Sequence, residues 1–301
     1  MNMTTALSFR SIRGVLLVLS LCATGVVSAQ SERITIRLMP QPNQVVRFHT
    51  MQEVRFALPS PGTPANTTSP SSGAVAATID AVHTLSVGAP DSQGHAEAQF
   101  AFEQFTMSMS LNGQPIPLPL PMDSILRQLF TATLDRDGRI IDVKGADNNA
   151  SIIAAIKSML TSALNGPPSV TLAPGETTTV PLSAELALPL PGNANPMGLT
   201  GEMKYTLASV EAGSAGRVAH LTTTFTGHVV GQDIPTPAGM LSMEMTMTGD
   251  GTLDVNTDRG VVSLRKQRQA IDIQIQPGAG AAVPIPPMKM SGTITLTVSA
   301  E

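Results

Sequence analysis

The sequence predicts a mainly β protein: two similar, curved antiparallel sheets, half-barrel or sandwich-like, arising from an internal duplication and joined by one connecting α-helix. Three observations predict it. Apolar residues recur at every second position through much of the chain, the period of a strand with one buried face. Gly and Pro supply 25 and 24 of the 301 residues, too many for long helices to dominate. A ten-residue motif also occurs twice, with the same kinds of element on either side.

Residues 1–29 read as a secretory signal. Arg10 and Arg13 precede an apolar run from Val15 to Val27, and Val27-Ser28-Ala29 offers the small residues of a cleavage site before Gln30. The run of about 13 residues is too short for a membrane span, which needs roughly 20. Cys22 raises the alternative of an acylated lipoprotein, but the bulky Leu21 before it argues against that processing. Cleavage after Ala29 would leave a chain without cysteine, closing off thiol chemistry and Cys-ligated metals. The expected location is therefore the periplasm or the exterior of a bacterial envelope, with no transmembrane segment after cleavage.

The first β-rich half is expected over 30–147. Its Pro/Ser/Thr/Gly stretch at 59–72 reads as a loop between two strands. Phe105, Met107, Met109 and Leu111 alternate with hydroxyl residues, and the alternation slips between Phe102 and Phe105, which predicts a bulge near Glu103-Gln104. Gly113-Gln114-Pro115-Ile116-Pro117 begins the first copy of G-Q-x-I-P-x-P-x-x-M, ending at Met122. Pro has no N–H for a sheet ladder, so this segment belongs at an edge or over the mouth of a sheet. A short helical turn is expected over 123–130. Asp135-Arg136-Asp137-Gly138 then reads as a hairpin turn, Asp bonding its own backbone and Gly taking positive φ.

The connecting helix is expected over 148–166. Ile152, Ile153, Ile156, Met159, Leu160, Ala163 and Leu164 fall on one helical face, and Gly166-Pro167-Pro168 ends it. The second half, 167–301, repeats the order of the first. Gly231 to Met240 carries the second motif copy, identical to the first at six of ten positions, and Asp254 to Gly260 stands where the hairpin turn stood. Met243, Met245 and Met247 alternate with polar residues, as do Ile271, Ile273 and Ile275, and Ile294, Leu296 and Val298.

Chemical motifs are weak. Asp254-x-Asn256-x-Asp258 copies the start of a calcium loop, but Arg259 and Arg265 stand where that loop needs Gly and a bidentate Glu. Ser263-Leu264-Arg265-Lys266 fits S-x-x-K, yet in a strand residues three apart face opposite sides. The five histidines are scattered, and nucleophile-elbow, dinucleotide and phosphate-loop motifs are missing. A net charge of −4 gives no reason to bind nucleic acid.

The sixteen methionines are the one distinctive supply. Thioethers bind Cu(I) in oxidising compartments, fill cores, and repack around variable apolar chains. The third use gives the reading adopted: a non-catalytic envelope protein binding an apolar ligand, a lipid or a lipidated partner. Phe105, Met107, Met109, Leu111, Met243, Met245 and Met247 are the candidate lining. Neither a metal nor a cofactor is expected. The alternatives are a structural or protein-interaction module, a Met-based copper carrier and a hydrolase.

Thr133-Leu134-Asp135-x-Asp137-Gly138-Arg139-Ile140-x-Asp142-Val143-x-Gly145, a helix, then Leu172-Ala173-Pro174-Gly175-Glu176-Thr177 and a long strand resemble an uncharacterised family of exported bacterial proteins, a domain of unknown function. The resemblance implies a duplicated, curved antiparallel sheet, analogous in shape to the half-barrels of the lipoprotein-localisation type that cup acyl chains. It implies no site residues.

Overall fold

The computed structural model describes residues 32–58, 73–117, 126, 128–145, 153, 156–157, 160–161, 166–186, 197–236, 239–277 and 287–301. The expected signal segment, the 59–72 loop and the second half of the first motif copy lie outside them. The strands are β1 (Ile34–Ile36), β2 (Val45–Leu58), β3 (Gly73–Val87), β4 (Ala96–Leu111), β5 (Gln114–Ile116), β6 (Leu129–Leu134), β7 (Ile140–Lys144), β8 (Val170–Leu172), β9 (Thr177–Leu186), β10 (Met197–Gly213), β11 (Gly216–Thr236), β12 (Gly239–Asn256), β13 (Val261–Pro277) and β14 (Met288–Ala300). Ile153, Ile156, Lys157, Leu160 and Thr161 are helical, inside the expected connecting helix. Leu126 is helical too, but Leu129 and Phe130 already belong to β6, so the turn expected over 123–130 ends earlier than its sequence suggested.

The architecture is mainly β and antiparallel. Twelve strands form one sheet in the order β7-β6-β4-β3-β2-β14-β13-β12-β11-β10-β9, with β5 paired to β4 off this path. Strands from both halves of the chain meet because β14 pairs with β2, placing the last strand beside the first long one. The sheet is open, with edges at β7 and β9, and is not closed into a barrel. β1 and β8 form a separate two-stranded ribbon.

Side-chain alternation divides the sheet into two faces. Along β11, Leu221, Thr223, Phe225, Gly227 and Val229 are buried, whereas Thr222, Thr224, Thr226, His228 and Val230 are exposed. The outer face of the neighbouring strands is likewise hydroxyl-rich and charged, through Thr246, Thr248, Asp250, Thr252, Lys266, Arg268 and Asp272. Among the described residues of β11, β12 and β13, the outward positions are thus mostly polar rather than the continuous apolar band that faces lipid in a membrane barrel.

Three apolar clusters fill the inner face. Phe48, Leu85, Phe100, Phe102, Phe130 and Val143 pack beneath the helical Ile156 and Leu160. Ile34, Ile36 and Leu172 of the ribbon cover Leu207, Leu221 and Leu253. The third cluster draws only on the sheet: Phe225, Val229, Met243, Met245, Met247 and Ile271, with Phe56, Leu199 and Ile294 against them. A sheet can bury its own face this way only by curling over it. Each such Leu, Ile, Phe or Met contributes about 1.5–3 kcal/mol by leaving water.

The residues before β2 tie the closed end together. Arg37 Nη2 donates to the Arg136 carbonyl at 2.7 Å in the β6–β7 turn, and Gln41 Nε2 donates to the Asp258 carbonyl at 2.9 Å in the β12–β13 turn. Between these anchors the chain passes so close to both turns that only glycine fits. A Cβ at Gly138 (φ 79°) would stand 1.5 Å from the Leu38 carbonyl oxygen, and one at Gly260 (φ 66°) 2.2 Å from that of Met39. The Asp135 carboxylate accepts from the amides of Asp137 and Arg139 at 2.8 and 2.9 Å, the self-bonded turn expected there.

The bulge falls where the alternation slipped. Val82 pairs with Gln104 and His83 with Phe102, leaving Glu103 without an opposite residue. Even-numbered apolar residues before it and odd-numbered ones after it thereby share the inner face.

Candidate functional site

Cross-strand register puts the candidate lining residues on one surface. Leu111, Val75, Phe56, Gly292, Ile271, Met247, Gly227, Gly201 and Leu182 are successive Cα partners across nine strands, forming an uninterrupted apolar row. The next row toward the closed end runs Met109, Ala77, Val54, Ile294, Gln269, Gly249, Phe225, Met203 and Val180 by the same register.

The seven expected residues share this face but fall into two groups. Met243, Met245 and Met247 are packed, only 9%, 7% and 8% exposed, against one another's neighbours in the self-covered cluster. Phe105, Met107 and Met109 on β4 are part-buried, and Leu111 is 39% exposed. The structure thus places tight packing on one side of the face and accessible apolar surface on the other.

A groove of about 450 Å³ lies on the outer face where β2, β14 and β13 meet. Arg55, Ala57, Ala74, Ala270, Asp272, Ser291 and Thr293, the outward-facing neighbours of Phe56, Gly292 and Ile271, make most of its lining. Gly292 makes the close strand approach possible, since a Cβ there would meet the Phe56 ring at 2.4 Å. A second cavity, of about 30 Å³, sits at the closed end among Leu38, Phe48, Phe100, Ile140 and Val261, room for no more than a water.

Below the apolar rows the inner face turns polar. Gln52, Gln267, Thr223 and Tyr205 share the row of Met107 and Ile79; Thr50 and Arg265 share that of Phe105 and Ala81. Burial raises the Tyr205 phenol pKa and lowers that of the Arg265 guanidinium, while their mutual attraction opposes both shifts. His83 lies on the same face among Phe48, Phe100 and Phe102, at ring-centroid distances of 5.5, 6.3 and 5.7 Å. Burial pulls its pKa down to about 4, against the opposing pull of Glu103.

Sequence reasoning missed this belt, although His83 stands in phase with Val75, Ala77, Ile79, Ala81, Leu85 and Val87. One polar residue inside an otherwise apolar period was the available signal.

Three of the other four histidines form carboxylate pairs. His49 Nε2 lies 2.8 Å from Asp80 Oδ1, His220 Nδ1 2.9 Å from Asp254 Oδ1, and His228 Nε2 3.0 Å from Glu244 Oε1. Asp254 is thereby engaged by His220. Asn256 Oδ1 accepts from the Arg259 amide at 3.0 Å, and Asp258 Oδ2 from the Arg217 amide at 2.9 Å. Asp254 of the calcium-like motif thus serves a cross-strand pair, and Asn256 and Asp258 serve the turn. Ser263 donates to the Asp254 carbonyl at 3.1 Å from within β13, so the S-x-x-K match sits on a strand. Among the described residues, no three His, Cys, Asp or Glu converge to hold a metal ion.

No protein-family model and no curated protein matches the chain. Among solved structures it is similar to lipovitellin, described for its lipid–protein interactions, at 12% identity and a TM-score of 0.46 over 87% of this chain. The chain spans 25% of that protein's length. It is also similar to an outer-membrane channel from Pseudomonas putida F1, at 9% identity and a TM-score of 0.21, over 87% of this chain and 97% of the channel. Pseudomonas aeruginosa OccK5 gives 8% identity and a TM-score of 0.20, over 86% and 98% of the two chains.

Proposed function

We propose that this chain is an exported, non-catalytic protein of the bacterial envelope that binds an apolar ligand, a lipid or the lipid group of a partner, on the inner face of its sheet. The observation that carries this reading is the first apolar row. Its β4–β3–β2 side retains accessible surface at Leu111, beside the part-buried Met107 and Met109. A sheet meant only to pack on itself would bury that side as deeply as it buries Met243 to Met247. The thioethers of Met107 and Met109 can repack around chains of differing shape. The polar outer face favours a protein that takes the ligand inside its curl over one that dissolves in lipid itself.

Native mass spectrometry of gently purified protein, with extraction of bound lipid, tests the reading. Expected are a mass above that of the protein alone and displacement of a fluorescent fatty acid by added lipid. A bare protein mass together with no uptake of the fluorescent probe would sink it. The second reading, a structural or interaction module, draws on the dense packing of Met243, Met245 and Met247 and is what that negative outcome would favour.

A further inference from the structure

Thr50 and His83 are each 0% exposed. Neither Thr50 Oγ1, His83 Nδ1 nor His83 Nε2 has a hydrogen-bond partner among the described residues. The two stand diagonally on adjacent strands of the inner face, since Phe48 is opposite His83 and Ala81 is opposite Thr50. Unpaired polar groups buried in an apolar surround are costly, so two side by side call for an explanation.

The surface leading to them is apolar. From the open end, β3 presents Val75, Ala77, Ile79 and Ala81; β4 flanks it with Leu111, Met109, Met107 and Phe105, and β2 with Phe56 and Val54. These residues form an apolar strip in which the small Ala77 and Ala81 alternate with the larger Val75 and Ile79. From Val75 to Ala81 it is about 20 Å long at ~3.3 Å per residue, the scale of an extended acyl or alkyl chain. It ends at Thr50 and His83, with the part-buried Phe105 edge-on to Phe102 beside them.

We infer that Thr50 and His83 are the polar end-stop of this strip, and that the ligand carries an uncharged hydrogen-bonding group, such as a hydroxyl, at the end that reaches them. This rests on the apolar-ligand reading above and adds its polarity and orientation. A neutral group fits for two reasons. The hydroxyl and imidazole can each donate or accept one hydrogen bond without a net charge entering the apolar interior. The charge acting on His83 is the Glu103 carboxylate, which opposes an anion there.

The test compares dodecane, dodecanol and dodecanoic acid as competitors of a fluorescent apolar dye at pH 7, on the full chain and on Thr50→Val. One buried hydrogen bond is worth about 1 kcal/mol, so dodecanol is expected to compete roughly 5- to 10-fold better than dodecane. Thr50→Val, nearly isosteric, should bring the two within about twofold while leaving dodecane unchanged. A ¹⁵N shift of the His83 ring on adding dodecanol, lost in His83→Phe, is the second expected readout. Equal competition by dodecane and dodecanol, or tightest competition by the acid, overturns this inference alone. A water bonded to both Thr50 and His83 that stays in place with dodecanol bound also overturns it. Failure of the dye and all three competitors to bind would instead remove the apolar-ligand reading on which it stands.

Discussion

Phe48 stacks on His83 with ring centroids 5.5 Å apart and planes inclined by 25°, one strand pair bringing an imidazole into full apolar contact. The consequence is an acid-sensitive fold. In the unfolded chain the ring takes a proton near pH 6.5; in the fold it stays neutral until about pH 4. Between those values the unfolded state binds more protons, so stability is full above pH 6.5 and falls as the pH drops toward 4. At 1.36 kcal/mol per unit, the loss approaches ~3 kcal/mol. His83→Phe should abolish this part of the acid sensitivity. Urea midpoints of both proteins at pH 7 and 4.5 check it, and parallel losses on acidification would refute the assignment.

The two turn glycines make a second prediction. Gly138→Ala and Gly260→Ala each combine a positive φ with a Cβ driven into the backbone of Leu38 or Met39, and should cost 3 kcal/mol or more, on the order expected for strain plus overpacking. Gly113 and Gly175 have φ of 77° and 87° but open space around them, so their Ala variants should cost only ~1–2 kcal/mol. Thermal melts of the four variants separate the outcomes. Four equal losses would mean that residues 37–41 do not clasp both turns.

Packing and ligand lining can be told apart among the methionines. Met245→Ala and Met247→Ala empty a filled cluster and should destabilise by about 2–5 kcal/mol. Met107→Ala and Met109→Ala remove part-buried side chains, should cost clearly less, and should weaken uptake of a fluorescent fatty acid several-fold. If the β12 pair alone affects uptake at matched stability, the accessible side of the face has been misplaced.

Much of this fold was legible because a strand's period survives in its sequence. Phe105 to Leu111, Met243 to Met247 and Ile271 to Ile275 each occupy one face as their spacing dictates, and the slip at Glu103 marked its bulge. The Asp135 turn was readable for a similar reason: its chemistry is contained within five residues. What alternation does not encode is the partner of each strand. Nothing local to Ser291 or Ala57 says that β14 will pair with β2 and join both halves of the chain into one sheet. Nor does spacing distinguish Met247, buried by the sheet's curl, from Met107, which keeps accessible surface. The polar belt escaped notice because Thr50 and Gln52 look ordinary in a strand until register sets them beside His83.

The bulge makes the sharpest test of register. Because Glu103 has no opposite residue, deleting it joins Phe102 to Gln104 and restores plain alternation, Phe102 and Phe105 inward and Gln104 outward. The deletion removes the Arg47–Glu103 ion pair (2.8 Å), but both side chains are more than 40% exposed, where such pairs are worth about 0–1 kcal/mol. Deleting Gln99 instead shifts the strand by one residue in mid-ladder. Either Ala96 and Ala98 or Phe100 and Phe102 must then leave the core, because a one-residue slip sends every affected side chain to the other face. The Glu103 deletion is therefore expected to melt cooperatively within a few degrees of the parent, and the Gln99 deletion to lose cooperative unfolding altogether. Circular dichroism melts decide it: comparable damage from both deletions would show that β4 holds its two faces by some means other than the bulge.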